Sequence, residues 1–151
     1  MNRNRVVLLM FWLFFYSQDV KATCWKLAEY TYGIEAELLS AIATAESSMR
    51  SSAKNINNNG TYDIGLMQIN SSHLPALMNK GISETMLIEN PCISVMVGAS
   101  ILKKMVLRYG LGWEAVGAYN AGTSPLRRER RVEYAKKIAA IYVQKHARSP
   151  W

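Results

Sequence analysis

Apolar residues recur along most of the chain at the three- and four-residue spacing of amphipathic helices. The clearest case is 35–47, which has acidic residues in its first turn and apolar residues along one side. A second long helix is predicted to begin at Asn90-Pro91, an N-cap followed by a first-turn proline, and to end at Gly110. Its apolar residues occupy more than one side, so we expect it to be central. The same spacing predicts three further helices, over 24–32, 113–121 and 128–145.

The helical pattern is interrupted over 54–62, a segment rich in asparagine. Asparagine and glycine favour turns over helices, and the pair Asn59-Gly60 is a strong hairpin signal. The pattern therefore predicts a single, mainly α domain of the α+β type. We expect about five or more helices and one small β-hairpin.

The first 22 residues have a different pattern. Arg3 and Arg5 precede an uncharged apolar run over 6–16, and small residues surround Ala22, as in secretory signal peptides. The run is much shorter than the roughly 20 residues that a membrane-spanning helix needs. We therefore expect a signal peptide over 1–22, removed near Ala22, and an exported, periplasmic domain over 23–151.

The composition fits one small basic domain, since the chain has 151 residues and a formal net charge of +7. Half of the residues are hydrophobic and 19% are charged, which excludes a disordered charged tail. The two histidines, His73 and His146, lack ligand-partner spacing, so no metal site is predicted. No cofactor or nucleic acid is predicted either, and we expect a monomer.

Cys24 and Cys92 both lie in the part that is predicted to be exported. Because exported proteins fold in an oxidising compartment, we expect these cysteines to form a disulfide. Two buried thiols are the alternative.

Glu46 stands out because a carboxylate falls on the apolar side of a helix. At about 100° per residue it lies between Leu39 and Ile42 on the surface of the helix 35–47. Burial and the negative end of the helix dipole both predict a raised pKa for this carboxyl. A carboxyl that keeps its proton near neutral pH can serve as a general acid on a C–O bond. A buried glutamate that only satisfies hydrogen bonds is the alternative.

A second candidate carboxylate is Asp63, the sole aspartate after the predicted signal peptide. Glycosidases use two carboxyl groups, one to protonate the leaving oxygen and one to stabilise or attack the cationic sugar. Glu46 and Asp63 are therefore candidate catalytic partners. An ordinary turn residue near Gly60 and Gly65 is the alternative for Asp63.

Three short blocks occur in order along the chain, and together they resemble the signature of one enzyme family. They are Ala-Glu-Ser at 45–47, Gly-Leu-Met-Gln-Ile-Asn at 65–70 and Ala-Tyr-Asn-Ala-Gly at 118–122. In order and spacing they resemble the blocks of the lysozyme-like lytic transglycosylases, which cleave peptidoglycan. The Cys24-Trp25 start and the 90–92 segment are similar in particular to the invasion-associated transglycosylases that are encoded with type III secretion systems.

The resemblance implies a role for each matching residue. Glu46 is implied to be the catalytic acid and then base, with Ser47 supporting it at the substrate site. Tyr134 resembles the tyrosine that family members direct at this glutamate, although its helical stripe with Ile138 and Ile141 is also typical of a core residue. The residues implied to contact the saccharide are the groove-wall Met67, the hydrogen-bonding Gln68 and Asn120, and the aromatic Tyr119.

The implied reaction cleaves the β-1,4 bond between N-acetylmuramic acid and N-acetylglucosamine without a metal or cofactor. Glu46 protonates the bridging oxygen and then takes a proton from the muramoyl C6 hydroxyl. That hydroxyl replaces water as the nucleophile, so the product has a 1,6-anhydromuramoyl end.

The segment 61–71 departs from much of the family, because it also resembles the c-type lysozymes. In those enzymes an aspartate two residues before the same glycine is the second catalytic carboxylate. We therefore expect Asp63 to steady the oxocarbenium-like centre. Hydrolysis by a lysozyme-type muramidase is one alternative, and a non-catalytic peptidoglycan-binding accessory protein is another. The retained Glu46, Gln68 and Asn120 favour an enzyme.

The implied partners are the glycan strands of peptidoglycan and, from the narrower resemblance, a component of a type III secretion system. The densest charge run comprises Arg127, Arg128, Arg130 and Arg131. A solvated start of a helix is the ordinary interpretation of such a run. Contact with peptidoglycan carboxylates, a membrane surface or a secretion protein is the functional interpretation.

Overall fold

The computed structural model describes residues 23–148, so the predicted signal peptide and residues 149–151 lie outside the described part. This part contains seven α-helices and one small sheet. The helices are α1 (23–32), α2 (Ala36–Ser47), α3 (Leu74–Met78), α4 (Glu84–Glu89), α5 (Pro91–Tyr109), α6 (Trp113–Ala121) and α7 (Arg128–Arg148). Among them, none has the length and apolar character needed to cross a membrane.

The predicted hairpin is confirmed. Its strands are β1 (Lys54–Ile56) and β2 (Tyr62–Ile64), which pair antiparallel across a turn closed by the Asn57 N–H and the Thr61 carbonyl at 2.8 Å. A third strand, β3 (Ile69–Asn70), pairs with the other edge of β2. The register places Asp63 opposite Asn55 on one side and Asn70 on the other.

The predicted central helix is also confirmed. The Asn90 side chain accepts a hydrogen bond from the Ile93 N–H at 3.3 Å, and Pro91 occupies the first turn of α5. Gly110 ends the helix with φ +81°, a conformation that glycine adopts without strain. The predicted buried side of α5 lies in the core, where Val95, Ala99 and Leu102 are almost completely buried.

Two helices, α3 and α4, lie in a region where no helix was predicted. Each is shorter than two turns, too short to show a helical repeat of apolar residues. Local signals were present nonetheless, since the Ser83 hydroxyl caps α4 by accepting from the Met86 N–H at 3.3 Å. The prediction of a mainly α fold with a small antiparallel sheet is confirmed.

The predicted disulfide between Cys24 and Cys92 is present. It joins α1 to the first turn of α5, with 5.4 Å between the two Cα atoms. The sequence separation of 68 residues makes this a long covalent loop. Closing such a loop removes denatured-state entropy worth about 4 kcal/mol in the chain-entropy model.

Helix α7 packs along both α2 and α6. Its contact with α6 depends on Gly117, where a Cβ would collide with the backbone carbonyl of Arg131. Arg131 is 5% exposed, and its side chain donates to Glu114 Oε1 at 2.6 Å. This close packing brings one turn of α6 and one turn of α7 together over the end of α2.

Candidate active site

A groove of about 620 Å³ separates the sheet from the ends of α2, α6 and α7. Polar side chains dominate its walls. The sheet and its loop contribute Asn57, Asn58, Asn59, Thr61, Asp63 and Asn70, and the helical side contributes Glu46, Tyr119, Asn120, Arg127 and Arg130.

Glu46 lies in the last turn of α2, which ends at Ser47. Ser48 and Met49 take left-handed φ values of 53° and 65°, and the Ser48 N–H still donates to the Thr44 carbonyl at 3.1 Å. Ser47 is buried and its hydroxyl bonds the Leu66 carbonyl at 2.8 Å. The end of α2 is thereby fixed against the 65–68 turn.

Two hydrogen bonds converge on one oxygen of the Glu46 carboxyl. The Tyr134 hydroxyl donates to Oε1 at 2.5 Å, and Asn120 Nδ2 donates to the same atom at 3.2 Å. Within residues 23–148, no side chain or backbone group hydrogen-bonds the second oxygen, Oε2. Glu46 lines the groove, and a proton on Oε2 would compete with neither donor.

Burial raises the pKa of Glu46 above that of an ordinary glutamate, and this is the largest effect on it. The bonds from Tyr134 and Asn120 and the positive charge of Lys137 lower it, whereas the charge of Asp63 raises it. The net pKa is raised. This carboxyl can hold a proton at higher pH than an exposed glutamate, and its ionised form still has two hydrogen-bond donors.

Tyr134 is itself almost buried, and its pKa is raised by burial and by the adjacent Glu46. Tyr134 therefore stays a neutral phenol, and its hydroxyl donates a hydrogen bond to Glu46. Helix α7 places a second group nearby, since Lys137 Nζ donates to the Ala45 carbonyl at 3.2 Å.

Asp63 lies on β2, at the sheet side of the same groove. Asn70 Nδ2 donates to its Oδ1 at 2.7 Å, and Asn57 Nδ2 donates to its Oδ2 at 3.1 Å. Thr61 Oγ1 accepts from both of these asparagines and so fixes their orientation. The structure brings Glu46 and Asp63 into one groove and holds the aspartate by both oxygens.

The residues of the second sequence block lie mostly behind the groove. Met67 was predicted to wall the groove, but its side chain is completely buried against Gly98 of α5. The expected substrate contact of Ser47 likewise finds no support, because its hydroxyl is used inside the fold. Both residues pack the turn that precedes β3.

Gln68 lines the groove, yet its side-chain amide bonds within the protein. Nε2 donates to the carbonyls of Ala53 and Gly65 at 3.2 and 2.8 Å, and Oε1 accepts from Asn55 at 2.6 Å. Its backbone is left-handed, with φ +49°. Both amide protons are committed, so the remaining capacity toward a saccharide is one lone pair of Oε1.

Tyr119 joins the third block to the second. Its hydroxyl donates to the Met67 carbonyl at 2.8 Å while the residue lines the groove. Burial raises its pKa well above the ordinary tyrosine value, and the charges of Glu46 and Asp63 add to this effect. Tyr119 therefore stays neutral, and its hydrogen bond to the Met67 carbonyl ties α6 to the turn that precedes β3.

Sequence reasoning missed several groove residues. Asn57 was interpreted only as a turn former and Asn70 only as part of the second block, and His73 was assigned no role, although all three line the groove. Burial and then Lys104 lower the pKa of His73, which favours its neutral form. Strand register was the missing information, because it alone shows which asparagines flank Asp63.

Comparisons with known proteins find similarity along most of the chain. A family model of the transglycosylase SLT domain matches residues 23–142. The chain is 57% identical over 121 residues to the invasion protein IagB of Salmonella typhi, covering 80% of this chain and 76% of that one. It is 49% identical over 129 residues to the protein IpgF of Shigella flexneri, covering 85% of each chain.

A solved structure shares the fold. An inactive mutant of the lytic transglycosylase Slt from Pseudomonas aeruginosa superimposes with a TM-score of 0.64 at 24% identity. The match covers 85% of this chain and 25% of that larger chain. This likeness confirms the predicted lysozyme-like architecture.

The raised pKa of Glu46 predicts how stability depends on pH. Because the folded state binds this proton more tightly than the unfolded state, the stabilisation is fully present below the unfolded pKa and is lost as pH rises through the folded pKa. We expect the Glu46→Gln variant, which keeps an acceptor for Tyr134 and Asn120, to gain stability relative to wild type as pH increases.

Urea unfolding at pH values from about 4 to 8 measures this difference. The Glu89→Gln variant, which changes an exposed carboxyl at the end of α4, controls for the loss of one negative charge. A Glu46→Gln difference that is constant, or that shrinks as pH rises, would contradict the raised pKa.

Proposed function

The chain belongs to the transglycosylase SLT domain family and is a lytic transglycosylase-type enzyme, and from this premise we propose the reaction that it catalyses. The enzyme cleaves the β-1,4 bond between N-acetylmuramic acid and N-acetylglucosamine in peptidoglycan and leaves a 1,6-anhydromuramoyl end. One observation supports this proposal most: a groove carboxyl with a raised pKa whose Oε1 accepts from Tyr134 and Asn120 while Oε2 has no hydrogen-bond partner among residues 23–148.

In the first step the proton on Glu46 Oε2 passes to the bridging oxygen. The bond between that oxygen and C1 of the muramoyl sugar breaks, and positive charge develops on the sugar ring. Tyr134 and Asn120 then stabilise the carboxylate that remains, because hydrogen bonds to an ionised oxygen are stronger than those to a neutral one.

In the second step the same carboxylate acts as a base. It takes the proton of the C6 hydroxyl, and the C6 oxygen closes on C1 to form the anhydro ring. No water is consumed, and Glu46 ends the cycle protonated as it began. A carboxyl whose acid form is favoured by burial and whose base form is favoured by two donors suits both steps.

We assign Asp63 an electrostatic role in this reaction. It lies in the same groove, and Asn57 and Asn70 hold both of its oxygens in place. A fixed negative charge stabilises the oxocarbenium-like centre without reorganising as that centre forms. Asp63 also raises the pKa of Glu46, so it favours the acid form that begins the reaction.

Hydrolysis is the second candidate, and the presence of Asp63 in the groove is the observation that favours it. Two carboxyl groups on one sugar site are the equipment of lysozyme-type glycosidases. In that case water takes the place of the C6 hydroxyl, and the product has a reducing end. The two reactions therefore differ in the muramoyl end that they leave.

Digestion of purified peptidoglycan sacculi tests the reaction directly. We expect soluble muropeptides with anhydromuramoyl ends, lighter by one water than the reducing form, as identified by mass spectrometry. The Glu46→Gln variant is expected to release none. Reducing ends from the wild type would instead establish a hydrolase, and binding without release by either protein would indicate a non-catalytic module.

The role of Asp63 makes a separate prediction for the Asp63→Asn variant. Loss of a preorganised charge is expected to lower kcat on the order of a hundredfold. Since Asp63 raises the pKa of Glu46, its removal lowers that pKa, and the alkaline limb of the pH–rate profile shifts to lower pH. Full turnover with an unshifted alkaline limb would exclude both effects.

We further propose that the enzyme acts outside the cytoplasm and opens the wall locally for a type III secretion system. Peptidoglycan is an extracytoplasmic substrate, and the predicted signal peptide over 1–22 is consistent with export. The similarity to a protein named for invasion supports the narrower role.

A periplasmic pull-down tests this partner. With the Glu46→Gln variant as bait, in cells that produce a secretion system, we expect a structural component of that system to co-purify. Recovery of peptidoglycan with no secretion component, under conditions that retain known envelope contacts, would count against a dedicated role.

A further inference from the structure

The four arginines at 127–131 occupy three different environments. Arg131 is buried in the fold and paired with Glu114. Arg128 is exposed and does not line the groove. Arg127 and Arg130, which are three residues apart and so share one side of the helical turn, both line the groove. The charge run is therefore not a uniform solvated surface.

The position of Arg127 relates this pair to the reacting carboxyl. Arg127 Nη1 donates to the carbonyl of Ala121 at 3.3 Å, at the last residue of α6. The preceding residue, Asn120, donates to Glu46. The Arg127 guanidinium thus lies next to the helical turn that contacts the acid.

Most of the hydrogen-bonding capacity of this pair is unused. Within residues 23–148, neither Arg127 nor Arg130 lies within 4.0 Å of a carboxylate oxygen. A guanidinium has five N–H donors, of which Arg127 uses one inside the described fold and Arg130 uses none. Guanidinium groups bind carboxylates through paired, charge-assisted hydrogen bonds.

The charged groups are divided between the two walls of the groove. Asp63 lies on the sheet wall, and the two arginines lie on the helical wall with Glu46. The sugar backbone of a glycan strand is neutral, whereas the peptide stems carried by its muramoyl residues bear free carboxylates. A strand in the groove can place its neutral backbone over Glu46 and its stem carboxylates against the arginines.

We infer that Arg127 and Arg130 bind the carboxylates of the peptide stem, so that the enzyme prefers stem-bearing glycan to glycan without stems. This inference rests on the proposed function, because it assumes a peptidoglycan strand in the groove. It concerns specificity and not the chemical step, and it makes the two arginines substrate-binding residues.

The test compares two substrates from one source: intact sacculi and the same material stripped of stems by an N-acetylmuramoyl-L-alanine amidase, with the lactyl carboxylates that this exposes then capped as amides. The measured quantity is the ratio of initial glycan cleavage rates on the two, counted as new ends of either type. We expect the Arg127→Gln/Arg130→Gln double variant to lower this ratio by about tenfold or more, through KM, since each lost bond involves a charged group. The matched control, Arg128→Gln, is expected to keep the wild-type ratio.

A purely structural role for the arginines lowers both rates and leaves their ratio unchanged, which would overturn the inference. An equal fall of the ratio in the Arg128→Gln control would also overturn it, by showing an effect of net charge alone. Retention of the Glu46→Gln protein on beads that carry each kind of glycan, with and without the double substitution, gives a readout that is independent of turnover. Stem-dependent binding without turnover would contradict the proposed reaction alone, whereas turnover without stem preference would contradict the arginine site alone.

Discussion

The candidate active site depends on how the fold half-buries one carboxyl, that of Glu46, between three helices. Helix α2 carries it, α6 supplies Asn120 and α7 supplies Tyr134, and the two donors share a single oxygen. Removing a carboxyl from water without hydrogen-bond partners costs free energy. The three helices must therefore pack closely enough for both hydrogen bonds to form. The same convergence leaves Oε2 without a hydrogen-bond partner among residues 23–148, on a side chain that lines the groove. Oε1 thus makes the hydrogen bonds that hold the carboxyl in place, and Oε2 is the oxygen to which we assign the reacting proton.

The packing of α2, α6 and α7 holds the partners of Glu46 in position. A Cβ at Gly117 would strike the backbone at Arg131, so a glycine there permits the approach of α6 to α7. Asn120 and Tyr134 lie three residues further along those two helices, on the same facing sides. Behind α2, the hydroxyl of Ser47 bonds the Leu66 carbonyl and fixes the helix end against the turn before β3. Several residues of the sequence signature therefore act by positioning the site from within the core.

The sequence predicted what local periodicity and capping can show. The apolar arc around Glu46, the cap at Asn90 and the Asn59-Gly60 turn each involve residues close together in the chain, and the structure agrees with them. It could not show which side chains are turned inward at a loop, so Met67 and Ser47 were assigned to the substrate and lie in the core. Nor could the sequence show which arginines of the run at 127–131 line the groove, because that depends on how α7 packs beside it.

In this account the fold keeps the Glu46 carboxyl protonated to higher pH than an ordinary glutamate. Carboxyl-carbon NMR titration of the wild-type protein, with the Glu46 resonance assigned through the Glu46→Gln spectrum, measures this pKa directly. A midpoint above the reference value for glutamate, about 4.3, is the expected result. A midpoint at or below that value would show that Tyr134 and Asn120 outweigh burial, and would contradict an acid that is protonated before the substrate binds.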